Sequence, residues 1–214
     1  MSIPGNLYIL TAPSGAGKTT LARQLVASVE NMQLSVSYTT RSPRLGEVQG
    51  KDYFFIATET FQQMIEEGAF LEWASVHHCL YGTSFEQTSN SINAGIDVVL
   101  AIDWQGAQKI RQIWQDAREK RNIGGKVISI FILPPSKQIL QQRLHLRGQD
   151  NDQVIDYRLK AASAEIAHYK EFDYLVINDV LEKALEEIQS IVRASRLSSE
   201  AQGLRHKKLL AQWL

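Results

Sequence analysis

The sequence predicts an α/β fold: a doubly wound parallel sheet built on a phosphate-binding loop (P-loop), flanked by helices, with a small α+β subdomain inserted into it. Three observations predict it. The apolar stretch Leu7-Tyr8-Ile9-Leu10 runs directly into Ala12-Pro13-Ser14-Gly15-Ala16-Gly17-Lys18-Thr19-Thr20, which reads as a strand, a glycine-rich turn and the start of a helix. The runs 97–103 and 127–133 are continuously apolar, the texture of strands buried on both faces, and they alternate with helical patterns. Between residues 35 and 82 this texture breaks into short alternating or aromatic pieces, which marks an insertion.

Residues 3–11 read as the first buried strand and 17–29 as its helix, with Leu21, Leu25 and Val26 at helical spacing. The insertion holds strand-like pieces at 34–38, 52–56, 70–76 and 78–81, and a short helix pattern at 59–67. Residues 84–95 read as a helix closed by Gly95. The run 97–103 is the second core strand, 105–118 a helix and 120–126 a polar loop containing glycine. The third core strand, 127–133, stops at Pro134-Pro135. Helices follow at 136–146 and 152–169, around the basic link Arg147-Gly148-Gln149-Asp150. Residues 173–176 are the fourth core strand and 181–195 the next helix, and a polar, basic tail helix continues to 214.

A chain of 214 residues suits one compact α/β domain with an inserted subdomain, and 44% apolar content suffices for its core. Lys and Arg together number 23, as do Asp and Glu. A zero formal charge argues against general nucleic-acid binding, which shows a basic excess. The single Cys79 excludes an intramolecular disulfide and a cysteine-rich zinc site, and a lone thiol suits a reducing compartment. No apolar run approaches the ~20 residues of a membrane span. The N-terminus lacks the charged-then-apolar layout of a signal peptide, so the expectation is a cytoplasmic protein without a membrane partner. His77 and His78 lack the Cys or acidic neighbours of a metal site.

The glycine-rich turn carries a specific chemistry. Backbone N–H groups of residues 12–17 would cradle phosphate oxygens, and the following helix adds about half a positive charge at its N-terminus. Lys18 would reach the terminal phosphates of a nucleoside triphosphate, and the Thr19 hydroxyl would ligate Mg²⁺. One departure is that the usual first glycine is Ala12. The competing reading is an ordinary strand-to-helix turn that contains Gly-Lys-Thr.

A P-loop does not name a reaction; the insertion narrows it. Arg41 and Arg44 lie in Ser37-Tyr38-Thr39-Thr40-Arg41-Ser42-Pro43-Arg44, and arginines match phosphate oxygens bidentately. A solvated surface pair is the plainer alternative. Glu72 sits among apolar residues in Phe70-Leu71-Glu72-Trp73-Ala74, where a carboxylate needs a partner. Guanine would supply one, since its N1–H and exocyclic amine donate in the same direction; adenine would not. An edge-strand carboxylate facing water is the alternative.

Taken in order, these pieces form a set that resembles the bacterial guanylate kinase family from about residue 6 to about 205. Further pieces are Gly-Lys-Asp-Tyr-Phe-Phe at 50–55, Tyr-Gly-Thr-Ser at 81–84, Asp-Trp-Gln-Gly at 103–106, Phe-Ile-Leu-Pro-Pro-Ser at 131–136, Arg-Gly-Gln-Asp at 147–150 and Val-Ile-Asn-Asp at 176–179. The resemblance implies transfer of the γ-phosphate of ATP to GMP, with Mg²⁺. It implies a P-loop core at 1–34 and 97–214, a helical lid at about 136–158, and a nucleoside-monophosphate-binding subdomain at 35–96. Residues 12–20 and Asn178 would bind ATP, with Asn178 touching adenine. Ser37, Arg41, Arg44, Tyr53 and Tyr81 would hold the GMP phosphate, Glu72 and Thr83 would read the guanine, and Gly82 would also belong to the GMP site. The serine more usual at position 83 is here threonine, which keeps the hydroxyl. Asp103 would orient GMP or water on Mg²⁺, and Arg147 and Arg158 would close over the phosphoryl group.

Two other readings compete. A kinase of a phosphorylated sugar such as ribose bisphosphate leaves Glu72 and Thr83 without a use. A non-catalytic phosphopeptide-binding module does not need Lys18, Thr19 and Arg147. The stretch from Trp114 to Gly125 is longer than in many relatives and is expected to be a surface insertion, with an oligomer contact or an altered nucleotide approach as alternatives. The use of dGMP and the oligomeric state, homo-oligomer included, stay open.

Overall fold

The computed structural model describes residues 3–76, 78–121, 123–146 and 152–213. The first strand β1 (Leu7–Thr11) turns through the glycine-rich loop into α1 (Lys18–Ser28), and β2 (Met32–Leu34) follows. Next come β3 (Tyr38–Thr39), β4 (Phe54–Phe55), α2 (Thr58–Glu66), β5 (Phe70–Val76), β6 (Cys79–Ser84) and α3 (Phe85–Asn93). The chain then runs through β7 (Asp97–Ala101), α4 (Trp104–Arg121), β8 (Val127–Leu133), α5 (Lys137–Leu146) and α6 (Asp152–Ile166). A 3₁₀ turn at Ala167–Glu171 leads to β9 (Tyr174–Ile177), then α7 (Leu181–Arg196), α8 (Ser199–Arg205) and α9 (Lys207–Leu210).

The main sheet has five parallel strands in the order β2-β7-β1-β8-β9. Helices cover both of its faces, so the alternating residues of β1 are all buried. Tyr8 and Leu10 pack with Leu21 and Leu25 of α1 and with Ala184, Ile188 and Val192 of α7. Leu7 and Ile9 face the other way, onto Ile92, Ala107, Ile110 and Trp114. A third apolar cluster, Leu140, Leu144, Ile155, Leu159 and Ala162, joins α5 to α6. The smaller sheet, ordered β4-β3-β6-β5, is mixed: β3 pairs parallel to β4, and β6 antiparallel to β3 and β5. Phe61 and Phe70 stack beneath it at 4.5 Å between ring centroids. Among the described residues no helix is long and apolar enough to cross a membrane.

Several element expectations change. Met32–Leu34 is a fifth core strand, pairing Met32 with Asp97; three residues are too few to show a period. The strand ending near Asp103 stops at Ala101, and Asp103 instead caps α4, its Oδ1 accepting from Gly106 N at 2.8 Å. Helix α4 continues to Arg121, and Trp114 is fully buried, so the stretch from Trp114 begins in the core rather than in a surface insertion. The charged residues beyond it fold back: Arg118 and Lys126 both pair with Glu200, at 3.1 and 2.7 Å. The expected fourth core strand, β9, lies at the sheet edge with Leu175 and Ile177 exposed. The tail is two short helices, broken where His206 leaves helical geometry. His78 sits in the β5–β6 turn with a φ of 64°, and His77 lies outside the described residues.

Candidate active site

The P-loop is fixed from below and from both ends. Gly15 and Gly17 have φ of 93° and 95°, a region that side chains with a Cβ rarely enter. Ala12 has no positive φ and is buried in the apolar cluster, which explains why a methyl group is accepted where glycine is usual. Asn178, just after β9, is 3% exposed and donates from Nδ2 to the Ala16 carbonyl at 2.8 Å. A Cβ on Gly15 would press on Leu144 of α5 at 2.9 Å. Among the described residues, the buried side-chain polar atoms without a partner are Thr11 Oγ1 and Asn178 Oδ1. Both flank this loop, and such orphans call for a specific explanation where they occur.

Lys18 opens α1 and donates from Nζ to the Ile102 carbonyl at 3.0 Å. Burial lowers its pKa, while the charges of Asp103 and Glu165 oppose that shift. A cavity of about 270 Å³ is lined by the loop from Ala12 to Thr19, except Ala16, and by Asp103 and Glu165. Thr20 is exposed beside it on α1. Helix α6 crosses the rim. Its Arg158 reaches Ser14 Oγ at 3.4 Å, and Glu165 follows two turns later on the same face. Burial raises the Glu165 pKa, which Lys18 opposes and Asp103 reinforces. Arg147 lies outside the described residues.

The small sheet supplies a second cavity of about 190 Å³, lined in part by Ser37, Tyr53, Thr83 and Thr19. Thr19 therefore borders both cavities. Glu72 and Thr83 are register partners across β5 and β6, next to a bulge that shifts the register after Phe70. The Thr83 hydroxyl donates to Glu72 Oε1 at 2.8 Å. Burial is the main cause of a raised Glu72 pKa; Thr83 opposes it and Asp103 adds to it. Arg41 is held by Glu47 at 2.8 Å and lies 5.4 Å from the centroid of the Tyr53 ring. Tyr81 packs edge-on against Tyr53. The Arg44 backbone N–H donates to the other Glu47 oxygen at 2.7 Å, so one carboxylate organises the whole arginine loop. Gly82 serves packing: a Cβ there would lie 2.8 Å from the Phe70 ring.

Sequence reasoning missed Glu165 and Glu47. Their signals were present, since Glu165 stands seven residues after Arg158 on a helical pattern and Glu47 three after Arg44. Neither points to an anion site by itself.

A parallel sheet ending in a P-loop, with a carboxylate–hydroxyl pair on a second sheet beside it, defines a nucleotide-binding kinase. The sequence pattern described as guanylate kinase matches residues 4–195. A guanylate kinase of Dechloromonas aromatica is 49% identical over 210 residues, 98% of this chain and 99% of the relative. One from Legionella pneumophila is 50% identical over 207 residues, 97% and 94% of the two chains. The crystal structure of guanylate kinase from Anaplasma phagocytophilum superimposes with a TM-score of 0.67 at 33% identity, covering 93% of this chain and 90% of that one. The chain belongs to the guanylate kinase family.

Proposed function

We propose that the protein transfers the γ-phosphate of ATP to GMP, giving ADP and GDP. The observation that carries this reading is the meeting of the two cavities at Thr19, with the P-loop lining one and Thr83, hydrogen-bonded to Glu72, lining the other. The ATP phosphates would lie along residues 12–19. The GMP phosphate would be held by Ser37, Arg41, Arg44, Tyr53 and Tyr81, displacing Glu47 from Arg41. Glu72 would accept from both guanine donors, with the Thr83 hydroxyl holding its Oε1 in place. The functional units are the core at 1–34 and 97–214, the GMP subdomain at 35–96 and a lid at about 136–158.

Phosphoryl transfer asks the protein mainly to align donor and acceptor and to neutralise charge spread over the γ-phosphoryl oxygens. Lys18 and Arg158 would supply positive charge, and Arg147 of the lid would add to it. The GMP phosphate is itself the nucleophile, so no strong general base is needed. Water must be kept out, which favours closure of the helices over the loop. The hard oxygen donors Thr19 and Asp103 at one cavity suit Mg²⁺; Thr19 would hold the ion and Asp103 would hold water on it. Bound there, Mg²⁺ would neutralise charge on the phosphates.

The test is ADP release from Mg²⁺-ATP with GMP, AMP, UMP, CMP or ribose 1,5-bisphosphate. Turnover with GMP alone is expected. Turnover only with the sugar phosphate, or none at all, would overturn the reading. Glu165 gives a second check. Removing one negative charge relieves repulsion more for metal-free ATP than for its less charged Mg²⁺ complex. Glu165→Gln is therefore expected to tighten metal-free ATP by about tenfold, and Mg²⁺-ATP by clearly less, in titration calorimetry. An equal gain for both would remove Glu165 from the neighbourhood of the phosphates.

A further inference from the structure

We infer that Asn178 serves the triphosphate through the P-loop, as a positioning residue that fixes the loop's backbone, and does not read the adenine base. This rests on the reading of residues 12–19 as the triphosphate site.

The geometry points to it at three places. The Asn178 backbone N–H donates to the Leu133 carbonyl at 2.7 Å, which locks the residue to the end of β8 just after β9 ends. Its Nδ2 then donates to the Ala16 carbonyl at 2.8 Å, between the two glycines that carry positive φ. A Cβ on Gly17 would lie 2.4 Å from that same Nδ2. The loop thus rests on the amide so closely that only glycine fits over it. Turning the Ala16 carbonyl down to Asn178 fixes the peptide between Ala16 and Gly17, so the Gly17 N–H points to the opposite, cavity side. An N–H aimed in that way is what a phosphate oxygen requires.

The other half of the amide argues against base reading. Oδ1 is the atom that would accept from the exocyclic amine of adenine. It is buried, and the whole residue is only 3% exposed. A base resting on the surface does not reach it. Asparagine is retained for its donor, and the unused acceptor is the cost of having one.

The experiment compares the wild type with Asn178→Ala and Asn178→Asp, using calorimetric binding of Mg²⁺-ATP, Mg²⁺-GTP and inorganic tripolyphosphate, which has no base. GMP affinity, set by the other sheet, reports correct folding. A lost buried hydrogen bond under the loop is expected to weaken all three ligands in Asn178→Ala by a similar factor of about tenfold, leaving the ATP-to-GTP ratio unchanged. Asn178→Asp keeps an acceptor but sets it against the Ala16 carbonyl, so it should lose at least as much. If Asn178→Ala does not fold, Asn178→Ser, with a donor on a shorter arm, takes its place in the comparison. A collapse of the ATP-to-GTP preference with tripolyphosphate unaffected would overturn the proposal. So would unchanged binding of all three. Failure of the wild type to bind any triphosphate would instead overturn the loop assignment beneath it.

Discussion

Lys18→Ala is expected to lower kcat by about a thousandfold or more while leaving GMP affinity in place. The ammonium is buried, anchored on the Ile102 carbonyl and kept charged against its own desolvation by Asp103 and Glu165. A charge held in this way needs no reorganisation when negative charge spreads over the γ-phosphoryl oxygens. Alanine offers nothing in its place, and water cannot reproduce an oriented donor. The proposed GMP contacts lie on the small sheet and in the arginine loop, so calorimetry with GMP should show the wild-type constant. Single-turnover assays would measure the loss. Retained turnover would remove Lys18 from its role, and a joint loss of GMP binding would mean that the variant is misfolded.

Glu72→Gln is expected to lower kcat/KM for GMP by about a hundredfold, with KM for ATP little changed. In the proposed complex the carboxylate would offer two acceptors to a base edge with two donors, and its Thr83 hydrogen bond fixes the orientation. The glutamine amide keeps one acceptor and turns a donor toward a donor. Equal losses for GMP and ATP would sink the assignment. The pH dependence follows from burial, which raises the Glu72 pKa above its ordinary value with Asp103 adding to the shift. GMP affinity should therefore fall toward acid at a pH above the usual glutamate range, as the carboxylate protonates and loses an acceptor. The phosphate of GMP also titrates near ~6, so the difference between wild type and Glu72→Gln isolates the glutamate. Linkage gives the matching stability effect. A raised pKa in the fold favours the protonated form, so that contribution is present at low pH and lost as pH rises through the folded value. Glu72→Gln should remove this slope from melting curves of the unliganded protein.

Much of the main sheet was legible because its central strands carry their signal within a few consecutive residues. Leu7–Leu10 and 127–133 have to be apolar on both faces, and the glycines of the loop mark its turn. The strand Met32–Leu34 escaped because its place at the sheet edge comes from pairing with β7, a contact between residues about 65 positions apart. The same limit hid the course of the chain after Trp114. The indole of Trp114 is core because residues distant in sequence, Leu7, Ile92 and Phe85 among them, pack around it, and Arg118 and Lys126 are tied down by a carboxylate in the tail. In the candidate site, residue type and order singled out the glycine-rich loop, the arginine pair and Glu72 with Thr83. Burial is what distinguishes Asn178 under the loop from a residue on its surface, and burial is a property of the packed chain. Glu165 was invisible for a related reason, since its chemistry comes from standing opposite Lys18.

The helix pair α5–α6 carries its own small apolar cluster, separate from the two under the main sheet, and a cavity of about 210 Å³ lies between the pair and the end of β8. If the pair closes over the loop as proposed, most of the apolar surface it hides from water would stay hidden within it, and only the faces of Leu140 and Leu144 that rest on Gly15 would change their contacts. Its movement over the loop should then leave little trace in heat capacity, which tracks apolar exposure. The balance between its positions would be set by a few polar contacts at the rim, such as Arg158 on Ser14, and amide exchange inside the pair would follow the pair's own local stability rather than that of the molecule as a whole.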